Sequence, residues 1–127
     1  MRNREKTKGK PFNDGLLEFG QIKTKRDSTK RIIGEEFIYL GRLYFSIESI
    51  RQNDFEQYGG KNKTVDLKLS TYFTTDVEKT HKIKIASDVY EVTGIDPDAD
   101  RIKMYWYLTK IGVIEDGIGF AKIESRS

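Results

Sequence analysis

The chain has 127 residues, with 23 lysines and arginines against 20 aspartates and glutamates, one histidine and no cysteine. That length suits one domain around one core, which buries roughly two-thirds of the surface its unfolded chain would expose. Disulfides and thiolate metal sites are excluded. No apolar run approaches the ~20 residues of a membrane span, and no signal-like segment opens the chain, so synthesis in a cytoplasm is expected.

In chain order, residues 1–14 read as a flexible basic arm. Arg2, Arg4, Lys6, Lys8 and Lys10 stand against Glu5, a net of +4 (five minus one). Leu17 and Phe19 share a face of a first strand, and Ile22 re-enters after Gly20, a site for a bulge or kink. Residues 22–31 hold Lys23, Lys25, Arg26, Lys30 and Arg31 against Asp27, again +4 (five minus one). Such stretches are read first as disordered, solvated tails, with phosphate contact as the alternative. Next, Leu43, Phe45 and Ile47 alternate with Tyr44, Ser46 and Glu48, a strand with one apolar face.

Residues 51–64 break the alternation. Arg51, Gln52, Asn53, Asp54, Phe55, Glu56, Gln57, Tyr58, Gly59, Gly60, Lys61, Asn62 and Lys63, followed by Thr64, form a polar segment with a Gly-Gly pair inside it. Most connections in compact domains run ~4–6 residues, and long ones tend to be functional or disordered. Gly59-Gly60-Lys61 lacks the spacing of a phosphate-binding loop, and strand-like residues follow it where a helix is needed. Flexibility is the better account of the two glycines.

The alternation then resumes. Val65, Leu67 and Leu69 share one face, as do Ile83 and Ile85, and a turn at Ser87-Asp88 precedes Val89. Asp96, Asp98 and Asp100 resemble a calcium loop, but the sixth and twelfth positions are Arg101 and Tyr107 in place of Gly and Glu. A hairpin turn built on Asx side chains and Pro97 is expected there. Ile102, Met104, Trp106 and Leu108 face one way and Lys103, Tyr105 and Tyr107 the other. Residues 112–127 read as a Gly-rich tail. The expected core is Phe45, Ile47, Leu67, Leu69, Ile83, Ile85, Val92, Met104, Trp106 and Leu108. The pattern predicts an all-β domain over 15–111, a small antiparallel barrel or sandwich with one long polar loop.

Little of this suggests catalysis. His81 has no second histidine or cysteine beside it, and the paired carboxylates Glu35-Glu36 and Asp14/Glu18 lie in polar surroundings without an apolar pocket to separate their pKa values. No nucleophile motif appears. No cofactor, no metal and no enzyme activity are expected. Tyr44, Tyr105 and Tyr107, on faces opposite the apolar ones, serve base stacking, an interface between subunits, or ordinary cross-strand pairing. As candidates for contact between subunits they join Arg2, Arg4 and Lys6 of the arm.

From Leu16 to Lys110 the order of elements resembles the head closure (stopper, or head–tail joining) family of long-tailed phages. The residues that carry the resemblance are a long strand over 36–50 with Ile47-Glu48-Ser49, a polar loop, the step Thr80-His81-Lys82-Ile83, the strand Val89-Tyr90-Glu91-Val92, an Asp-rich turn and a last strand over 102–108. The sequence departs from the family at the loop, which lacks a common Gly-Arg-Glu character, and in the residues after Lys110. The resemblance implies a dodecameric ring in the virion neck, between the portal-proximal connector and the tail terminator or completion protein. It also implies that a loop from each subunit, here residues 51–64, enters the channel and retains packaged double-stranded DNA. An out-and-back excursion of that length reaches roughly 20 Å. The alternative reading is a nucleic-acid-binding β-barrel module.

Overall fold

Each stretch of alternation becomes a strand because only pairing with a neighbour satisfies its backbone while one face stays dry. The computed structural model describes residues 13–52, 54, 64–115 and 119–122. Its strands are β1 (Gly15–Arg26), β2 (Ile32–Glu48), β3 (Leu67–Tyr72), β4 (Lys82–Ile85), β5 (Asp88–Pro97), β6 (Lys103–Glu115) and β7 (Gly119–Lys122). All pairings are antiparallel. Six strands follow one another as β1-β4-β5-β6-β3-β2, and β2 returns to β1, so the sheet closes on itself. The all-β expectation holds.

Inside lie Leu17, Phe19, Phe45, Leu69, Ile83, Val92, Met104, Trp106 and Leu108, joined by Val77 from the β3–β4 connection. Trp106 is 1% exposed, and its indole N–H donates to Thr71 Oγ1 at 2.9 Å, so the largest core side chain leaves no polar atom unpaired. Leu67 and Ile85 are half-buried against the same cluster.

Ile47 departs from the expected core: it is 58% exposed. It shares parity with Phe45, but the last β1–β2 pair is Gly15 with Phe45, so Ile47 lies beyond the cover of β1. Ile102 is likewise exposed, because it belongs to the β5–β6 turn and β6 begins at Lys103. That turn is the expected Asx type: Asp98 Oδ1 accepts from the Ile102 N–H at 3.1 Å, and Arg101 N–H donates to Asp98 O.

Two segments read as tails are strands. β6 continues through Gly112 to Glu115, and β7 pairs with it and with Glu35 and Glu36 of β2. Gly112 makes this possible, since a Cβ there would stand 2.5 Å from the Phe120 ring. Residues 22–31 form the far end of the β1–β2 hairpin, with the bulge expected at Gly20 seen as a register shift between Phe19 and Gly20.

Replacing Trp106 by Ala is expected to cost about 3–5 kcal/mol in urea unfolding, as large core aromatics do. A cost below about 1 kcal/mol contradicts this core.

Candidate functional site

The 51–64 segment is rooted at both ends. β2 stops at Glu48, and four residues later the chain turns on itself. Asp54 N–H donates to Arg51 O at 2.9 Å, while Arg51 N–H donates to Asp54 Oδ2 at 2.8 Å. The same carboxylate oxygen accepts from Lys68 Nζ at 3.1 Å, with both side chains about nine-tenths buried. Lys68 stands on the outer face of β3, opposite Glu48 of β2 and Tyr107 of β6. Its ammonium lies 5.3 Å from the ring centroids of both Tyr105 and Tyr107. A cation placed so is attracted to both π faces. Beside it, Ser70 Oγ donates to Glu48 Oε2 at 2.6 Å. The first root is therefore a charge held among aromatic rings, with a cleft of about 380 Å³ bounded by Glu48, Ser49, Arg51, Asp54, Lys68, Asp96, Tyr105 and Tyr107.

The second root is built on the Asp66 carboxylate and two threonine hydroxyls. Asp66 N–H donates to Leu108 O at 2.8 Å, and Asp66 Oδ2 accepts from Lys110 N–H at 2.8 Å. Thr64 Oγ1 donates to Asp66 Oδ1 at 3.1 Å, and Thr109 Oγ1 donates to Thr64 O. Val65 is buried between these contacts. Both roots thus lean on β6, and nine residues, 55–63, lie between them.

Of the residues singled out from the sequence, Arg51 and Gln52 are exposed and Asp54 is buried at the first root. Asn53, Phe55, Glu56, Gln57, Tyr58, Gly59, Gly60, Lys61, Asn62 and Lys63 lie outside the described residues, as do Arg2, Arg4 and Lys6. Tyr44 is 68% exposed and Tyr105 half-buried. Tyr107 is a correction: it points to the outer face as its parity requires, yet it is 3% exposed, because the Lys68 side chain and the first root lie over that face. It is not a free contact surface. Lys68, Asp66 and Thr109 were missed. A lysine in an alternating strand reads as solvated, and only the cross-strand register puts Lys68 against two tyrosines.

Among the described residues no group of three or more His, Asp or Glu side chains is placed to hold a metal ion. His81 Nδ1 accepts from the Glu78 N–H at 3.0 Å, and its ring lies 5.9 Å from that of Phe19. It closes the turn before β4.

Burial pushes the Asp54 carboxyl up, but the Arg51 N–H and Lys68 together outweigh it and hold it below the ordinary carboxylate value. A depressed folded pKa contributes stability above the unfolded value of ~3.9 and loses it as pH falls through the folded one. Asp54→Asn is therefore expected to cost about 1–3 kcal/mol at neutral pH in urea melts. The gap from wild type should narrow as the pH falls below the ordinary carboxylate value and through the lowered folded one. A gap independent of pH would contradict an ionised Asp54 at the root.

The fold has known likenesses. Protein SF1141 from Shigella flexneri 2a, a solution structure, is similar at a TM-score of 0.56 and 18% identity, over 77% of this chain and 92% of that one. A chain in the virion of a native gene transfer agent particle is similar at a TM-score of 0.49 and 9% identity, over 80% of this chain and 98% of that one. At these identities the likenesses concern the path of the backbone alone. No protein-family model matches the chain, and neither does a curated protein.

Proposed function

We propose that the protein is a structural component of a tailed-phage neck, where copies assemble into a ring that closes the DNA exit and receives the tail. The observation that carries this reading is the double root of the 51–64 segment. Both ends of the loop are fixed to the sheet, one through Asp54 to Lys68 of β3 and one through Asp66 to β6, which suits a loop that bears load between copies. The order of elements from Leu16 to Lys110 supports the same reading through its resemblance to head closure proteins.

The rooted geometry shortens the working span. Arg51 and Asp54 belong to the first root, which leaves a segment of nine residues an upper limit of roughly 15 Å out and back. Their charge, Lys61 and Lys63 against Glu56, suits loop-to-loop contact around a channel better than a tight grip on phosphate, which calls for a larger positive excess. Phe55 and Tyr58 are the aromatic side chains available to such a plug. In this reading the partners are other copies of the chain, the portal-proximal connector, the tail completion protein and the packaged duplex. The role is mechanical, not catalytic.

Exchanging residues 55–63 for a short Gly-Ser linker, with Asp54 and Thr64 kept, is expected to leave thermal unfolding within about 1 kcal/mol of wild type. DNA is expected to leak from filled heads before tails join, measured as nuclease-accessible DNA. Full retention by heads carrying the linker would show that the loop is not the stopper.

A further inference from the structure

The far end of the β1–β2 hairpin belongs to neither the closed sheet nor the loop. β4 pairs with β1 only over Glu18–Gly20, and β7 pairs with β2 only at Glu35 and Glu36. Between those limits, from Lys23 to Gly34, the two strands pair with each other alone, and nearly every residue is exposed. This is a free-standing two-stranded ribbon.

Its tip is built, not loose. Asp27 Oδ1 accepts from the Thr29 N–H at 2.9 Å, the Thr29 hydroxyl at 2.7 Å and the Arg31 N–H at 3.0 Å. Asp27 N–H donates to Arg31 O, Lys30 N–H to Asp27 O, and Arg26 Nη1 to Lys30 O. Lys30 takes the left-handed conformation, φ 69°, that closes such a turn. The one acidic side chain of the ribbon is therefore spent on its own backbone. Among the described residues no carboxylate lies within ion-pair distance of Lys25, Lys30 or Arg31. Ile32 and Ile33, 59% and 55% exposed, stand beside these cations where a merely solvated arm gains nothing from them.

We propose that this ribbon is a binding site for the phosphate backbone of double-stranded DNA. A two-stranded β-ribbon is narrow enough to enter the ~12 Å major groove. Lys25 on β1 and Lys30 and Arg31 in the turn then reach phosphates along the groove. Recognition is of charge and shape, without base sequence. The inference goes beyond the neck reading and stands whether or not the protein closes a head.

The test is fluorescence anisotropy of a labelled duplex of arbitrary sequence with the full chain, across a salt series. Wild type is expected to bind with a log–log salt slope of about −3 to −4, from four or so neutralised phosphates. The triple substitution Lys25→Glu, Lys30→Glu and Arg31→Glu should weaken binding at least about tenfold and flatten the slope by about 3. Its thermal unfolding should stay unchanged, since all three side chains are solvated. A second variant lacking residues 1–12 should retain a slope that the triple substitution abolishes. The proposal is overturned if the triple variant binds as wild type, if the truncation alone removes binding, or if anionic lipid vesicles are bound as tightly as the duplex. It is equally overturned if the triple variant changes only the oligomeric state.

Discussion

A ring of six strands stays closed only where every neighbour pairs, and one of its short seams joins Glu18–Gly20 of β1 to Lys82–Lys84 of β4 over three residue pairs. That seam governs the rest. Raw edges invite pairing with other chains, so its closure separates a discrete subunit from an aggregating one. Phe19 and Ile83 face each other across it, 7% and 1% exposed, on the inner side. Outside, Lys84 and Glu18 form an ion pair of 3.5 Å that is partly in solvent and adds at most about 1 kcal/mol. The apolar pair therefore carries the closure. Its ring fits because the residue across from Phe19 on β2 is Gly41, where any Cβ would lie 2.5 Å from that ring.

The seam also decides where the projecting parts go. With β4 holding β1 only up to Gly20, the register shift at that point turns the hairpin, and its last residues run on without a second neighbour. At the other end of β2 the chain enters the first root and then the loop. One 17-residue strand thus joins the basic ribbon at its start to the clamped loop after its finish. Between them lies a closed sheet whose core side chains sit in fixed positions, and such packing transmits displacement instead of absorbing it. β7 adds a clip near the root of the ribbon, tying β2 to the end of β6.

Much of the fold was legible because period-two alternation reports directly on which face is dry. Leu69, Ile83, Val92, Met104, Trp106 and Leu108 follow from it without further information. The misreadings share a cause, since each depends on what lies over a residue and not on its own neighbours in sequence. Ile47 has the right parity but no strand above it; Tyr107 has an outward parity but a root above it. The segment after Gly20 reads as a charge run in composition, while its order comes from the Asp27 side chain bonding its own turn. Asp27 followed by Ser28 and Thr29 is the signal that orders it, and it was present in the residues. For the candidate site, the loop was visible as a gap in alternation, while its clamps were not. Lys68 and Asp66 are ordinary strand-edge residues until the register places them against Tyr107 and Lys110.

The proposed neck role requires that residues between the two roots meet their counterparts from other copies. The chain has no cysteine, so a single Gly59→Cys substitution reports on that middle without background. Treated with a short thiol-to-thiol crosslinker, DNA-filled heads carrying it should yield a ladder of covalent oligomers on a denaturing gel, whereas the dilute isolated protein yields monomer. Monomer alone from fully labelled, DNA-filled heads would contradict the account.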